Sequence, residues 1–479
     1  MRCSLKVAVV LAPLLWSLEI QGQSTAASTA ADDTSRTLSI DLFPQRIGGV
    51  GSSTPGEGGL LFQASTTAKI ATPKTTAIAA FDFVQGTGTT IRRALEAGFD
   101  RRGTEGNGAW RMRLRGEWKP TPSLHLSAGR DTLHDGWGYR SLFRGRHAAP
   151  LPFLQTVLDG GGRVRYRHRI EALQGARSIH CWTGAAPTGD PQTWVPPNGT
   201  LRGALQRMVV SHRLEVDFGQ RLTAALWGAV VWNTEGGQRL FEPHYLIPLT
   251  SLRPTEYAQG SSDNALVGLE GQWRLGPKGT RHRYLYGQLL LDELIVSEIL
   301  GSTGWWGNKY GLLGGLHWGY PRGAWRIELS GVRPWTYSHY TPTSAYINGL
   351  TPVAHPLGAN FMEGSLQGNM ERGPWAMLGR LTASRRGDAT AGEAPTGSLP
   401  QVGDIDRTFD TYTWLNGRNR DFLLLQLDVA RSFKIGSNTA LKGFLRLEHG
   451  RTSIGTDLVT ENRLVFGLRT TGPFLGADW

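Results

Sequence analysis

Residues 163–170 read Arg163-Val164-Arg165-Tyr166-Arg167-His168-Arg169-Ile170, with a guanidinium at every second position. Successive side chains of an extended strand point to opposite faces, so this segment has one cationic face and one mainly apolar face. Residues 111–118 (Arg-Met-Arg-Leu-Arg-Gly-Glu-Trp) repeat the pattern, and residues 325–329, 425–429 and 441–448 follow it more loosely. Residues 205–218 and 220–233 read as a strand pair that turns at Gly219-Gln220. No long amphipathic helix interrupts these alternating segments. The run Leu289–Leu294 comes nearest to one, and a buried strand edge suits it equally. A row of arginines is costly in a dry core and at ease in a water-filled lumen. A transmembrane barrel supplies that lumen, turns its apolar face to lipid and girdles both interfaces with aromatic residues.

Composition agrees with a barrel. The 479 residues are only 39% hydrophobic yet include 63 glycines and 17 tryptophans. After the first twenty residues no apolar run of ~18 or more marks a membrane helix. Two cysteines are too few for a disulfide-stapled scaffold, and large apolar residues recur too often for disorder over the whole length. A soluble β-sandwich of this length needs two or more domains, and no internal repeat marks them. The expected fold is all-β, a transmembrane antiparallel β-barrel of about 16–18 strands over residues 58–479. The chain also ends in an aromatic residue, Trp479, as many outer-membrane barrels do.

The first residues set the compartment. Arg2 and Lys6 precede an apolar stretch from Val7 to Leu18, and small residues follow Gln21-Gly22-Gln23. Residues 1–23 therefore read as a secretory signal peptide, too short to span a membrane. Cys3 precedes the apolar stretch and cannot be a lipid-attachment cysteine, so the mature chain keeps one cysteine, Cys181. Residues 24–57, rich in Ala, Ser, Thr and Gly, read as a flexible periplasmic lead-in. Formal net charge is +12, and only eight of the 51 basic residues are lysine, the rest arginine. Arginine forks onto carboxylate or phosphate and stacks on aromatic rings, which suits a polyanionic partner. Export removes nucleic acid as that partner and leaves acidic polysaccharide or the headgroups of outer-membrane lipid.

Several segments break the alternation. Residues 386–407 lack large apolar side chains and read as a long extracellular loop; residues 184–204, with four prolines, read similarly. Three others mix glycine, aromatic and charged residues. The first runs Gly129-Arg130-Asp131-Thr132-Leu133-His134-Asp135-Gly136-Trp137-Gly138-Tyr139-Arg140 and continues to Leu154. The second is Gly304-Trp305-Trp306-Gly307-Asn308-Lys309-Tyr310-Gly311. The third is Arg333-Pro334-Trp335-Thr336-Tyr337-Ser338-His339-Tyr340, followed by Ala354-His355-Pro356-Leu357-Gly358-Ala359-Asn360-Phe361.

These three, with Gly260-Ser261-Ser262-Asp263-Asn264-Ala265-Leu266 and the stretch Tyr286–Glu293 containing Asp292, resemble the Wzi-like capsule-assembly family over about residues 100–370 in the same order. The branch they look most like is that of Bacteroidota, which includes proteins linked to gliding motility. The resemblance implies an outer-membrane barrel that holds capsular polysaccharide, acidic or neutral, at the surface of a Gram-negative cell. It also implies contact with other envelope or gliding-machinery proteins. Departures from the family pattern are the absence of a helical bundle in residues 24–57 and the basic run Phe143-Arg144-Gly145-Arg146-His147. Beyond about residue 370 there is no shared motif.

Sugar rings stack their C–H faces on Trp and Tyr, and acidic sugars offer carboxylates to arginine. The candidate glycan contacts are Arg130, Trp137, Tyr139, Arg140, the ladder Arg163, Arg165, Arg167 and Arg169, then Trp305, Trp306, Lys309, Trp335 and Tyr337. A competing reading has the same segments folding inward to plug the lumen. Asp131, Asp135 and Asp292 would then pair with Arg130, Arg140 and the ladder, with Gly136, His339, His355 and Asn360 as structural members. Catalysis finds little support. There is no His-Glu-x-x-His, Gly-x-Ser-x-Gly or cysteine cluster, and neighbours such as His180-Cys181 or Ser211-His212 are not placed to act as a pair. No cofactor or metal is expected. Besides a binding barrel, two further readings are a passive channel with an anion-favouring lumen and an enzyme acting on lipid or glycan.

Overall fold

The computed structural model describes residues 35–51, 59–85, 100–101, 108–173, 207–233, 245, 263–276, 282–340, 342–348, 351–389, 393–400, 402–435 and 439–469. The signal segment 1–23, Cys181, the loop 184–204 and Trp479 lie outside them. Residues 35–479 form one compact unit. Its strands are β1 (Ser35–Gly51), β2 (Gly59–Ala71), β3 (Thr75–Gln85), β4 (Asp100–Arg101), β5 (Gly108–Thr121), β6 (Leu124–Asp131) and β7 (Leu151–Asp159). Next come β8 (Val164–Leu173), β9 (Arg207–Phe218), β10 (Leu222–Asn233), β11 (Asn264–Arg274), β12 (Arg283–Glu293), β13 (Lys309–Tyr320) and β14 (Gly323–Val332). The last are β15 (Ile347–Asn348), β16 (Thr351–Pro352), β17 (Phe361–Arg372), β18 (Trp375–Asp388), β19 (Arg418–Ile435), β20 (Thr439–Ile454) and β21 (Asp457–Arg469). Among the described residues, nineteen strands make one sheet, with β15 and β16 a separate hairpin.

Each long strand pairs antiparallel with the next in sequence, except that β3 pairs with β5 and β14 with β17. The first strand also pairs with the last, Asp41 opposite Arg469 and Gly51 opposite Val459, so the sheet closes into a barrel and leaves no edge. The two-residue β4 lies against β5 outside this ring, which leaves eighteen strands in the wall. Short turns join alternate strands at one end. At that between β9 and β10, Gly219 takes φ +75°, a left-handed conformation open to glycine at no steric cost. The segments 132–150, 294–308, 333–360 and 389–417 all leave from the other end.

The alternation resolves into a lipid face and a lumen face. Outward positions carry Leu114, Leu269, Leu312, Leu329, Leu425 and Phe466, with Leu329 64% exposed. The intervening residues point inward and pair: Arg111 with Asp82 at 2.9 Å, Arg446 with Asp428 at 2.7 Å, Arg463 with Glu448 at 3.3 Å. One patch departs from this. On β9, β10 and β11 the outward Val210, Val230, Trp232 and Ala265 are buried together with Tyr245.

Two expectations change and one open reading resolves. Residues 35–51 are a strand paired on both sides, not part of a flexible lead-in; ladder hydrogen bonds to β2 and β21 order a segment whose composition carries little apolar signal. The run Leu289–Glu293 belongs to strand β12. Residues 389–417 do form a loop, between β18 and β19, but it begins later than expected and part of it folds inward. Strand β18 extends to Asp388, and Thr396, Ser398 and Asp404 are buried against the inward-folded segments.

Candidate functional site

A segment that crosses a lumen must find partners for its backbone amides, because the wall strands spend theirs on one another. Residues 132–150 find them in acidic and amide side chains on the inner wall. The amide of Trp137 donates to Glu270 on β11, and those of Tyr139 and Arg140 donate to Glu328 on β14 at 2.7 and 2.9 Å. Leu142 donates to Gln288 on β12 at 2.9 Å. Gly136 makes the approach possible. Its φ is +96°, and a Cβ there would stand 2.1 Å from the Gln288 amide nitrogen. Phe143 stacks on Trp227 of β10 with ring centres 4.9 Å apart.

Charge fixes the same segment. Asp135, fully buried, receives both Arg167 and Arg169 of the ladder on β8. Burial works against its charged form, but those two guanidiniums prevail and hold its pKa below the usual carboxylate range. Arg144 pairs with Glu171 at 3.0 Å, and Arg140 pairs with Glu363 on β17. Asp131 caps the entry by accepting the amide of Thr132 at 2.8 Å, and Arg130 reaches the Pro150 carbonyl at 3.4 Å.

The segments 333–360 and 389–417 lock over this one. Trp335 and Tyr337 both adopt left-handed backbone, φ +66° and +73°, a strained state that needs tight neighbours. Trp335 donates its amide to the Gly397 carbonyl at 2.8 Å. Tyr337 donates its amide to Asp292 at 2.8 Å and its hydroxyl to the Leu142 carbonyl at 2.9 Å. The Asn360 side-chain amide reaches the carbonyls of Gly387, Thr396 and Asn416. His355 stacks on Phe361 and faces Glu363 at 3.3 Å, while His339 bonds the Asp263 carbonyl at 3.1 Å. Arg207, buried, fans onto the carbonyls of Thr343, Ala345 and Ile347. Lys309 is buried against Asp404 at 2.6 Å, and Trp306 lies beneath Arg407 with the guanidinium 3.9 Å from the ring centre. Trp305 bridges to Thr411.

The sequence-derived candidates therefore divide. Arg140, Arg169, Lys309, Trp335 and Tyr337 are buried and serve the plug. Their side chains are engaged within the protein, as the plugging alternative has it. Asp135 meets the ladder as the plugging alternative expects. Arg140 and Asp292 have different partners, Glu363 and the Tyr337 amide. Trp305 and Trp306 are half-buried against residues 407–412, and Arg163 sits in the turn before β8, far from the plug. Arg165 is half exposed, beside Glu215 at 3.3 Å and Asp159 at 3.6 Å.

Trp137 and Tyr139 are only partly buried. Around them stand residues that the sequence reading did not single out. The guanidinium of Arg213 lies 5.1 Å from the Trp137 ring centre, and that of Arg380 lies 4.9 Å from Tyr139. Arg326 lies between Tyr139 (5.9 Å) and Tyr286 (5.7 Å) and has no acidic partner among the described residues. Arg213 is tied to Glu270 at 2.6 Å, and the Tyr286 hydroxyl donates to Glu328 at 2.9 Å. The signal for Arg326 was present in the alternating segment Trp325–Leu329, whose inward positions are Arg326 and Glu328. This basin offers ring faces for stacking and a spare guanidinium for an anion. Among the described residues, no group of three His, Cys, Asp or Glu side chains could hold a metal ion.

The architecture, a closed antiparallel barrel with inward-folded loops, is that of outer-membrane β-barrels. No family model matches the chain, and no curated protein matches it. Solved structures do. Wzi of Escherichia coli, described as an outer-membrane protein involved in group 1 capsule assembly and a carbohydrate-binding β-barrel, aligns with a TM-score of 0.51 at 14% identity, over 90% of this chain and 83% of its own. Acinetobacter baumannii OccAB3 aligns at 0.48 with 9% identity over 91% and 99%, and Pseudomonas aeruginosa OccK5 at 0.47 with 9% identity over 92% and 99%. At these identities the likeness is one of fold.

Proposed function

We propose that this chain is an exported barrel of a Gram-negative outer membrane that binds an acidic surface polysaccharide beneath its plug and carries out no chemistry on it. The observation that carries this reading is the basin of Trp137, Tyr139 and Tyr286 with Arg326 between two of the rings. Rings give sugar C–H faces a place to stack, and an arginine without a counter-ion suits a uronate or other acidic group. The likeness to Wzi, itself a carbohydrate-binding barrel, supports the same ligand class. The plug favours binding over passive conduction, because its ion pairs tie it to wall strands from β8 to β17.

Titrating the purified barrel with a uronate-containing capsular polysaccharide tests the reading. Saturable binding is expected, weaker at 0.5 M than at 0.05 M salt as exposed charges are screened. Arg326→Ser and Trp137→Ala each lose about tenfold, near the ~1.4 kcal/mol of one contact. Equal binding of a neutral glucan, or unchanged affinity in both variants, would overturn it.

A further inference from the structure

The outer wall above β13, β14, β17, β18 and β19 is not flush. Strand register sets two outward rows side by side. One runs Leu312, Gly331, Met362, Arg385 and Asp421; the next runs Gly314, Leu329, Gly364, Ala383 and Leu423. The small residues sit among large apolar ones and leave a groove of about 1080 Å³. Trp414 closes it toward the loop end, with its ring 3.0 Å from where a Cβ on Gly331 would stand. At the rim Arg385 and Asp421 neutralise each other through two hydrogen bonds, at 2.5 and 2.8 Å. Arg451, opposite Leu423, is exposed and has no acidic partner among the described residues.

We infer that this groove holds an acyl chain of a phosphorylated glycolipid of the outer leaflet, with the lipid phosphate at Arg451. A lone guanidinium on a lipid-facing wall calls for a counter-ion, and an anionic headgroup above an apolar tail supplies the charge and the filling together. A polysaccharide brings no tail for the groove, and a zwitterionic lipid brings no net charge for the arginine. The site lies on the outside of the barrel and does not depend on the lumen basin.

Native mass spectrometry of the full chain in detergent, with lipid A added, tests the inference. Retained lipid A is expected. Arg451→Ser weakens retention about fivefold, the value of one cation near an anionic headgroup. A Cβ on Gly314 meets nothing within 4 Å, so Gly314→Leu fills the groove without disturbing the wall; it weakens retention about tenfold, as displaced methylenes leave apolar contact. Equal retention of dephosphorylated lipid A or phosphatidylethanolamine would overturn the inference, and so would retention unaffected by both substitutions. The readout is lipid alone, so its failure is separable from failure of polysaccharide binding.

Discussion

Asp135 is one carboxylate serving two arginines, and removing it strands one of them. Arg169 keeps Glu171 at 3.0 Å, but Arg167 loses its buried partner. Asp135→Asn is expected to loosen residues 132–150 by about 3–5 kcal/mol, the cost of breaking a buried pair from one side. Limited proteolysis should cut within that segment while the strands stay protected, and undiminished protection would contradict its role. Residues such as Trp137 and Trp335 look alike in sequence, each beside glycine, proline or charge. One is half-buried over a basin, the other fully buried with its amide on Gly397. Local sequence cannot separate them, because burial is decided by segments far along the chain. Arg213 and Arg380 escaped notice for a related reason. Their partners come from register across strands and from where the plug comes to lie.

At the scale of the element, the segment 132–150 carries two histidines, His134 and His147, whose burial disfavours their charged forms. Burial, with Arg146 close by, lowers the His134 pKa to about 3. Burial, with His355 close by, lowers that of His147 to about 3, although the Pro352 carbonyl at 3.0 Å works the other way. His355 is lowered too, by burial against the opposing pull of Glu363. In the unfolded segment His134 and His147 take up protons below about pH 6.5, while in the folded one both stay neutral down to about pH 3. The unfolded state thus binds more protons, and stability rises with pH across this window. The plug is expected to be firmest above pH 6.5 and to weaken steadily as pH falls from there toward 3. Hydrogen exchange of residues 132–150 at pH 7.5 and pH 5 checks this, after correction for intrinsic rates. His147→Gln keeps an amide donor for Pro352 without titrating, so it should lessen the response and leave the part due to His134; a wild-type segment equally protected at both values would refute the assignment. The glycine–aromatic segments were legible as departures from alternation. Their inward course was one of two open readings, since the acids that receive their amides, Glu270 and Glu328, lie 133 or more residues further along.

For the whole molecule, alternation alone carried the sequence to an all-β barrel, because a two-residue period with arginine on one face has few other homes. A wall of about 16–18 strands after residue 58 and the ladder at Arg165, Arg167 and Arg169 follow from it. What alternation could not reach was β1, where pairing with β21 supplies the order that side chains do not announce. It also missed the inward course of the stretch around Thr396 and Asp404, where Asp404 receives the Lys309 ammonium and the Thr396 carbonyl receives the Asn360 side-chain amide. The central claim is that an acidic glycan sits against Trp137, Tyr139 and Arg326. The most direct measurement is photo-crosslinking of an acidic capsular oligosaccharide to the purified barrel, followed by peptide mapping. Label on peptides spanning residues 133–144 and 323–332 is the result this account requires. Label confined to the outer wall or to segments outside the lumen, with those two peptides clean, would contradict it.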